Sequence, residues 1–188
     1  MTTVLNLEPI TTLLTRSQFY KLCQVNPNLL LERSAQGELI IVTPIGGESG
    51  NKEANLIGDL IIWNRQTKLG VVFSSQTVFS LPGGSDRSPD VAWVKLERWQ
   101  ALTPEEREGF PPICPDFVIE LRSRTDRLKP LQNKMQEYLA SGLRLGWLIN
   151  PKGKQIEIYR QGKDVEVVTM PVVLSGEAVL PGFSLDFT

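Results

Sequence analysis

The chain contains no histidine. That absence excludes the Ser-His-Asp triad, the Cys-His pair, zinc sites of the HExxH kind and any imidazole acid or base. Cysteine is scarce as well. Cys23 and Cys114 stand alone, with no CxxC spacing, so neither a disulfide framework nor a zinc cluster is expected, and a reducing cytoplasm is the simpler setting. No apolar run reaches the roughly eighteen residues of a membrane span. The opening "MTTVLNLEPITTLL" lacks the basic-then-apolar order of a signal peptide. Neither sign of charge is in excess: 20 Lys and Arg face 21 Asp and Glu, net −1, so global charge gives no support to nucleic-acid binding. What is left for hydrolysis is carboxylates, lysine and a hard metal ion bound through oxygen.

A length of 188 residues with 41% apolar content suits one domain over 1–188, with a core from about 45 to 160. Local charge departs from the global balance. Arg122, Arg124, Arg127, Lys129 and Lys134 are opposed in that stretch only by Asp126. Such a cluster is either a solvated helix start or a track for phosphates.

Periodicity gives the element order. Thr15 and Gln18 have capping-box spacing ahead of a short helix at 15–25. "NLLLER" and "GELIIVTP" flank Ser34-Ala35-Gln36-Gly37 as a hairpin. A helix is expected from about Ser49 to Gln66, with Leu56, Ile57, Leu60, Ile61 and Trp63 on one broad face. Gly70 starts a strand running through "VVFSSQTVFSL", and "DVAWV", "DFVIELR", "LGWLIN", "QIEIYR" and "VEVVTM" read as further strands. A helix over 127–141, ended by Gly142, precedes "LGWLIN" and implies a crossover with some parallel pairing. The tail "VVLSGEAVLPGFSLDFT" is expected to add short edge strands that close the sheet. The fold class is α/β: a mixed sheet flanked by helices, with added N- and C-terminal β-hairpins.

Two acids stand out. Asp90 follows Pro89, which cannot donate to a ladder and so marks a strand entry. It is a turn aspartate or a functional carboxylate. Glu120 ends the run Phe117-Val118-Ile119 and shares a face with Val118, so it needs a partner or a metal. Arg122, two residues on, offers one such partner. On the helix that follows, Lys134 falls about 60° from Leu131, at the edge of the apolar stripe, where a lysine either snorkels outward or reaches into the groove beneath the strand ends. Glu48, before the first long helix, is a further candidate for the same cleft or a complement to the helix dipole; Glu53, on the face of Ile57 and Leu60, competes with it.

At these residues the chain resembles the PD-(D/E)XK nuclease superfamily, and more closely the Uma-type restriction endonucleases, formerly domain of unknown function 820. The similar stretches are "TPIGGESGNKEANL", "GSDRSPDVAWV", "PPICPDFVIELRSRTDRLKPLQNKMQEYLASGLRLGWLINP" and "QIEIYR", from about Thr15 onward. The resemblance implies a restriction endonuclease-like fold and divalent-metal-dependent cleavage of DNA. Asp90 and Glu120 would bind Mg²⁺ (or Mn²⁺), and Lys134 would replace the motif lysine that the strand lacks. Arg122 occupies that motif position but, always protonated, makes a poor base. Arg124, Arg127 and Lys129 would follow phosphates. The resemblance also implies a homodimer. The rival readings are a catalytically inactive nucleic-acid-binding module, or a structural protein whose acids only form ion pairs.

Overall fold

The structure is a computed structural model that describes residues 13–187. Helix α1 (Arg16–Val25) begins where the spacing places it. Thr15 accepts from the Gln18 backbone, and the Gln18 side chain accepts from the Thr15 backbone. Strands β1 (Leu31–Arg33) and β2 (Leu39–Ile41) form the expected hairpin. Its turn needs a glycine. Gly37 has φ +93°, and a Cβ there would lie 2.8 Å from the Leu14 carbonyl.

Helix α2 (Gly47–Thr67) starts two residues earlier than expected and buries Leu56, Leu60 and Trp63. The long strand expected from Gly70 is two strands. β3 (Gly70–Ser74) ends in a turn closed by Thr77 N–H to the Ser74 carbonyl, and Ser88 Oγ donates to the carbonyls of Ser75 and Thr77. β4 (Phe79–Ser80) then pairs with β5 (Asp86–Arg87), which joins the hairpin in a second sheet of order β2-β1-β5-β4.

The main sheet adds β6 (Val91–Lys95), β7 (Phe117–Leu121), β8 (Leu145–Asn150), β9 (Gln155–Arg160) and β10 (Glu166–Thr169), in order β10-β9-β8-β7-β6-β3. Short helices α3 (Leu96–Gln100) and α4 (Pro104–Glu108) lie between β6 and β7. Among the described residues only β7 and β8 run parallel, joined across one face by α5 (Leu128–Ala140). Gly146 lets that helix sit close, since a Cβ there would lie 2.5 Å from Met135 Cε.

Strand alternation sorts the core into two layers. Val91, Trp93, Phe117, Ile119 and Trp147 face α2. Ala92, Val94, Val118 and Leu148 face Met135 and Tyr138 of α5. The C-terminal strands β11 (Val172–Ser175) and β12 (Ser184–Phe187) do not extend the main sheet. They pair with each other and cover its α2 face, where Phe183 stacks on Trp147 at 6.2 Å and the Pro181 carbonyl accepts from the Trp63 indole. Covering this aromatic face removes large apolar area from water, about 25 cal/mol per Å², which an edge position would leave exposed.

Candidate active site

Antiparallel register makes the first juxtaposition. Val91 pairs with Ile119 and Ala92 with Val118, so the ladder carried one step outward sets Asp90 opposite Glu120. Pro89 stands just ahead of β6, and Asp90 is held there by the backbone: its Oδ2 accepts from Leu121 N–H at 2.6 Å. Glu120 alternates onto the α5 face with Val118 and is 1% exposed. A carboxylate so buried needs compensation.

Helix α5 supplies it. Lys134 and Tyr138, one turn apart, point at the same strand end. Tyr138 donates to Glu120 Oε1 at 3.0 Å, and Lys134 Nζ lies 2.8 Å from the same oxygen. Lys134 therefore reaches inward rather than snorkelling. Its ammonium also contacts Glu32 Oε1 and the Ser88 carbonyl, each at 2.9 Å. Three acceptors match its three N–H groups.

The electrostatics follow from burial and these contacts. Burial raises Glu120 to about 8, with Asp90 and Glu32 adding to the rise and Lys134 opposing it. Burial also raises Asp90 to about 6, against the pull of Lys134 and the Leu121 N–H. Lys134 is raised too: burial favours the neutral amine, but Glu120, Glu32 and Asp90 outweigh it and keep the ammonium charged. Burial works against the Glu32 carboxylate as well, yet Lys134 and Arg87 win and hold it below the usual range. Cation and acids are interlocked, with Lys134 a fixed positive charge rather than a base.

Other sequence candidates scatter. Glu53, not Glu48, lines the cleft above Asp90; its Oε1 accepts from Ser75 Oγ at 2.5 Å. Glu48 sits exposed in the first turn of α2. Arg122 does not pair with Glu120. Its guanidinium donates to Asn150 Oδ1 and to the Asp126 carbonyl, both at 3.1 Å. Arg124 and Arg127 are exposed on the loop whose Ser123, Thr125 and Asp126 rim the cleft, while Lys129 lines a separate groove beside Glu157 and Tyr159. Sequence reasoning missed Glu32 and Arg87. Glu32 had the same signature as Glu120, an acid closing an apolar run, here Leu29-Leu30-Leu31.

These groups floor a cleft of about 770 Å³ between the two sheets and α5. Among the described residues no three His, Cys, Asp or Glu side chains form a preformed metal cage. Two facing carboxylates nonetheless suit a hard cation. Mg²⁺ commonly takes one or two carboxylates and completes its octahedron with water and substrate phosphate. The cleft wall is acidic, with seven Asp or Glu against Arg87 and Lys134, so a polyanion gains from a cation bound there. Among the described residues, no helix is long and apolar enough to cross a membrane.

The family model described as "Uma2: Putative restriction endonuclease" matches residues 16–188. A solved structure of "a putative nuclease belonging to DUF820" from Anabaena variabilis ATCC 29413 has the same fold, with a TM-score of 0.71 at 19% identity over 83% of this chain and 86% of that one. No curated protein matches the chain.

Proposed function

The chain belongs to the Uma2 family, described as "Putative restriction endonuclease", and we propose that it is a metal-dependent endonuclease hydrolysing DNA phosphodiester bonds through Asp90, Glu120 and Lys134. Family membership supports a nuclease. The observation that carries the finer reading is the strand register that sets Asp90 opposite Glu120, with the Lys134 ammonium on Glu120 at the cleft floor. Asp90 and Glu120 would hold Mg²⁺ or Mn²⁺. Such an ion, when bound, polarises a phosphate and makes water a stronger acid.

The remaining chemistry belongs to the chain. Lys134, held charged, stabilises negative charge as it develops on the phosphate oxygens. The Leu121 N–H keeps the Asp90 carboxylate turned toward its neighbour. Tyr138 fixes the rotamer of Glu120. Arg124 and Arg127, at the rim, contact the DNA backbone, and Lys129 extends that contact around α5. One restriction endonuclease-like domain over 1–188 works as a homodimer, so that two sites reach two strands, in the cytoplasm.

The test is cleavage of supercoiled plasmid and of short single strands by the purified protein with Mn²⁺, Mg²⁺ or EDTA, beside Asp90→Ala and Lys134→Ala. Cutting that requires metal and is lost in both variants is the expected result. If nothing is cut and calorimetry finds Mn²⁺ binding no tighter to the wild type than to Asp90→Ala, the proposal fails and the inactive binding module takes its place.

A further inference from the structure

We propose that Glu32, on a strand outside the main sheet, is a positioning residue that holds the Lys134 ammonium in the site independently of Glu120. What Lys134 then does for the substrate rests on the nuclease reading; the hold itself does not.

Of the three acceptors on Lys134, Glu120 is shared with the proposed cation, and the Ser88 carbonyl carries no charge. Glu32 is the remaining anion in salt-bridge contact with Lys134 among the described residues. It is also held through both carboxylate oxygens. It is 3% exposed; its Oε1 accepts from Ser88 N–H at 2.9 Å and its Oε2 from Arg87 at 3.0 Å. The Ser88 peptide thus donates to Glu32 and accepts from Lys134, so the carboxylate, the peptide and the ammonium close a ring.

A second ring encloses the first. Arg87 grips Glu137 of α5 with two bonds, at 2.7 and 2.8 Å, while its third contact goes to Glu32. Lys134 and Glu137 lie three apart on one helix face. Strand β1, strand β5 and helix α5 are therefore linked through Lys134, Glu32, Arg87 and Glu137. Buried ion pairs seldom outdo apolar packing in stability, so stability alone gives no reason for four charges here. What this arrangement achieves is to fix one ammonium, in place and in charge, beside Asp90 and Glu120. The hairpin bearing Glu32 then completes the site rather than decorating the domain.

The test compares wild type, Glu32→Gln and Glu32→Ala. Side-chain ¹⁵N NMR reads the Lys134 ammonium directly, its signal assigned by its loss in Lys134→Arg. Single-turnover cleavage with Mn²⁺ reads the chemical step. The wild-type ammonium is expected to be protected from hydrogen exchange, with exchange at least tenfold faster in Glu32→Gln and faster still in Glu32→Ala. The maximal cleavage rate should fall about ten- to a hundredfold, in the same order, with KM and Mn²⁺ affinity changed less than twofold. An unprotected wild-type ammonium, or exchange in Glu32→Gln equal to wild type, overturns the proposal. So does a cleaving wild type matched by Glu32→Gln in rate. If the wild type does not cleave and binds Mn²⁺ no tighter than Asp90→Ala, but Glu32→Gln frees the ammonium, the positioning stands and the nuclease reading falls. Should both Glu32 variants fail to fold, Arg87→Lys, which loosens Glu32 but keeps its charge, gives the same readouts with the same deciding outcomes.

Discussion

Replacing Glu120 with Gln should stabilise the metal-free protein at pH 9 relative to its effect at pH 5. The side chain is fully buried and its carboxyl is raised from the ordinary 4.5 to about 8. Folding therefore binds a proton at Glu120 between those values. Stability from that proton is complete below the unfolded value and is lost as pH rises through the folded one. At 1.36 kcal/mol per pH unit, the loss is on the order of 2–5 kcal/mol once water entry and relaxation are allowed for. Gln keeps the size and an acceptor for Lys134 and Tyr138 but has no proton to lose. In the wild type Lys134 stays charged and Glu32 stays ionised from pH 5 to 9, and Asp90, raised to about 6, titrates in both proteins, so the difference between them is set chiefly at position 120. For a chain of this length the difference corresponds to about 4–20 °C in Tm. Thermal unfolding of both proteins in EDTA at pH 5, 7 and 9 reads it. A variant-minus-wild-type Tm that is flat across pH, or that falls, refutes a protonated Glu120 and would mean that Lys134 holds it ionised throughout.

Three further outcomes follow from the same geometry. Because Asp90 and Glu120 are raised to about 6 and about 8, Mn²⁺ binding should release protons and tighten as pH rises from 6 to 8; calorimetry in buffers of different ionisation enthalpy measures both. Arg122→Met loses bonds to Asn150 and the Asp126 carbonyl and should cost about 1–3 kcal/mol in urea unfolding, whereas a pairing with Glu120 would make that cost depend on pH. Gly146→Ala forces a Cβ against Met135 and should cost about 1–3 kcal/mol, recovered in part by shortening Met135 to Val.

How much was legible varied with the distance over which each feature is decided. The capping box at Thr15 and the helix carrying Lys134 appeared where their spacing placed them, because both are set by residues within one or two turns. Asp90 and Glu120 were visible as acids breaking apolar strands. Two misjudgements have one cause. The run after Gly70 looked continuous, but Ser88, from a later segment, bonds the carbonyls where it bends. The tail looked like edge strands, yet the uncovered face bearing Trp147 and Phe117 took it instead.

The sequence by itself bounded the kind of chemistry open to this protein, since a chain without histidine has no imidazole acid, base or zinc ligand to offer. It also determined the period of each element and thus the face on which Glu120 lies. Tertiary structure alone decided the company these groups keep. It chose Glu53 over Glu48 for the cleft, turned Arg122 away to Asn150, and brought Glu32 to Arg87 across 55 positions of chain. Periodicity is a relation between near neighbours and can be read along a line. Which acid meets which cation depends on sheet register and helix docking, set jointly by packing over the whole molecule, and no spacing in the chain encodes it.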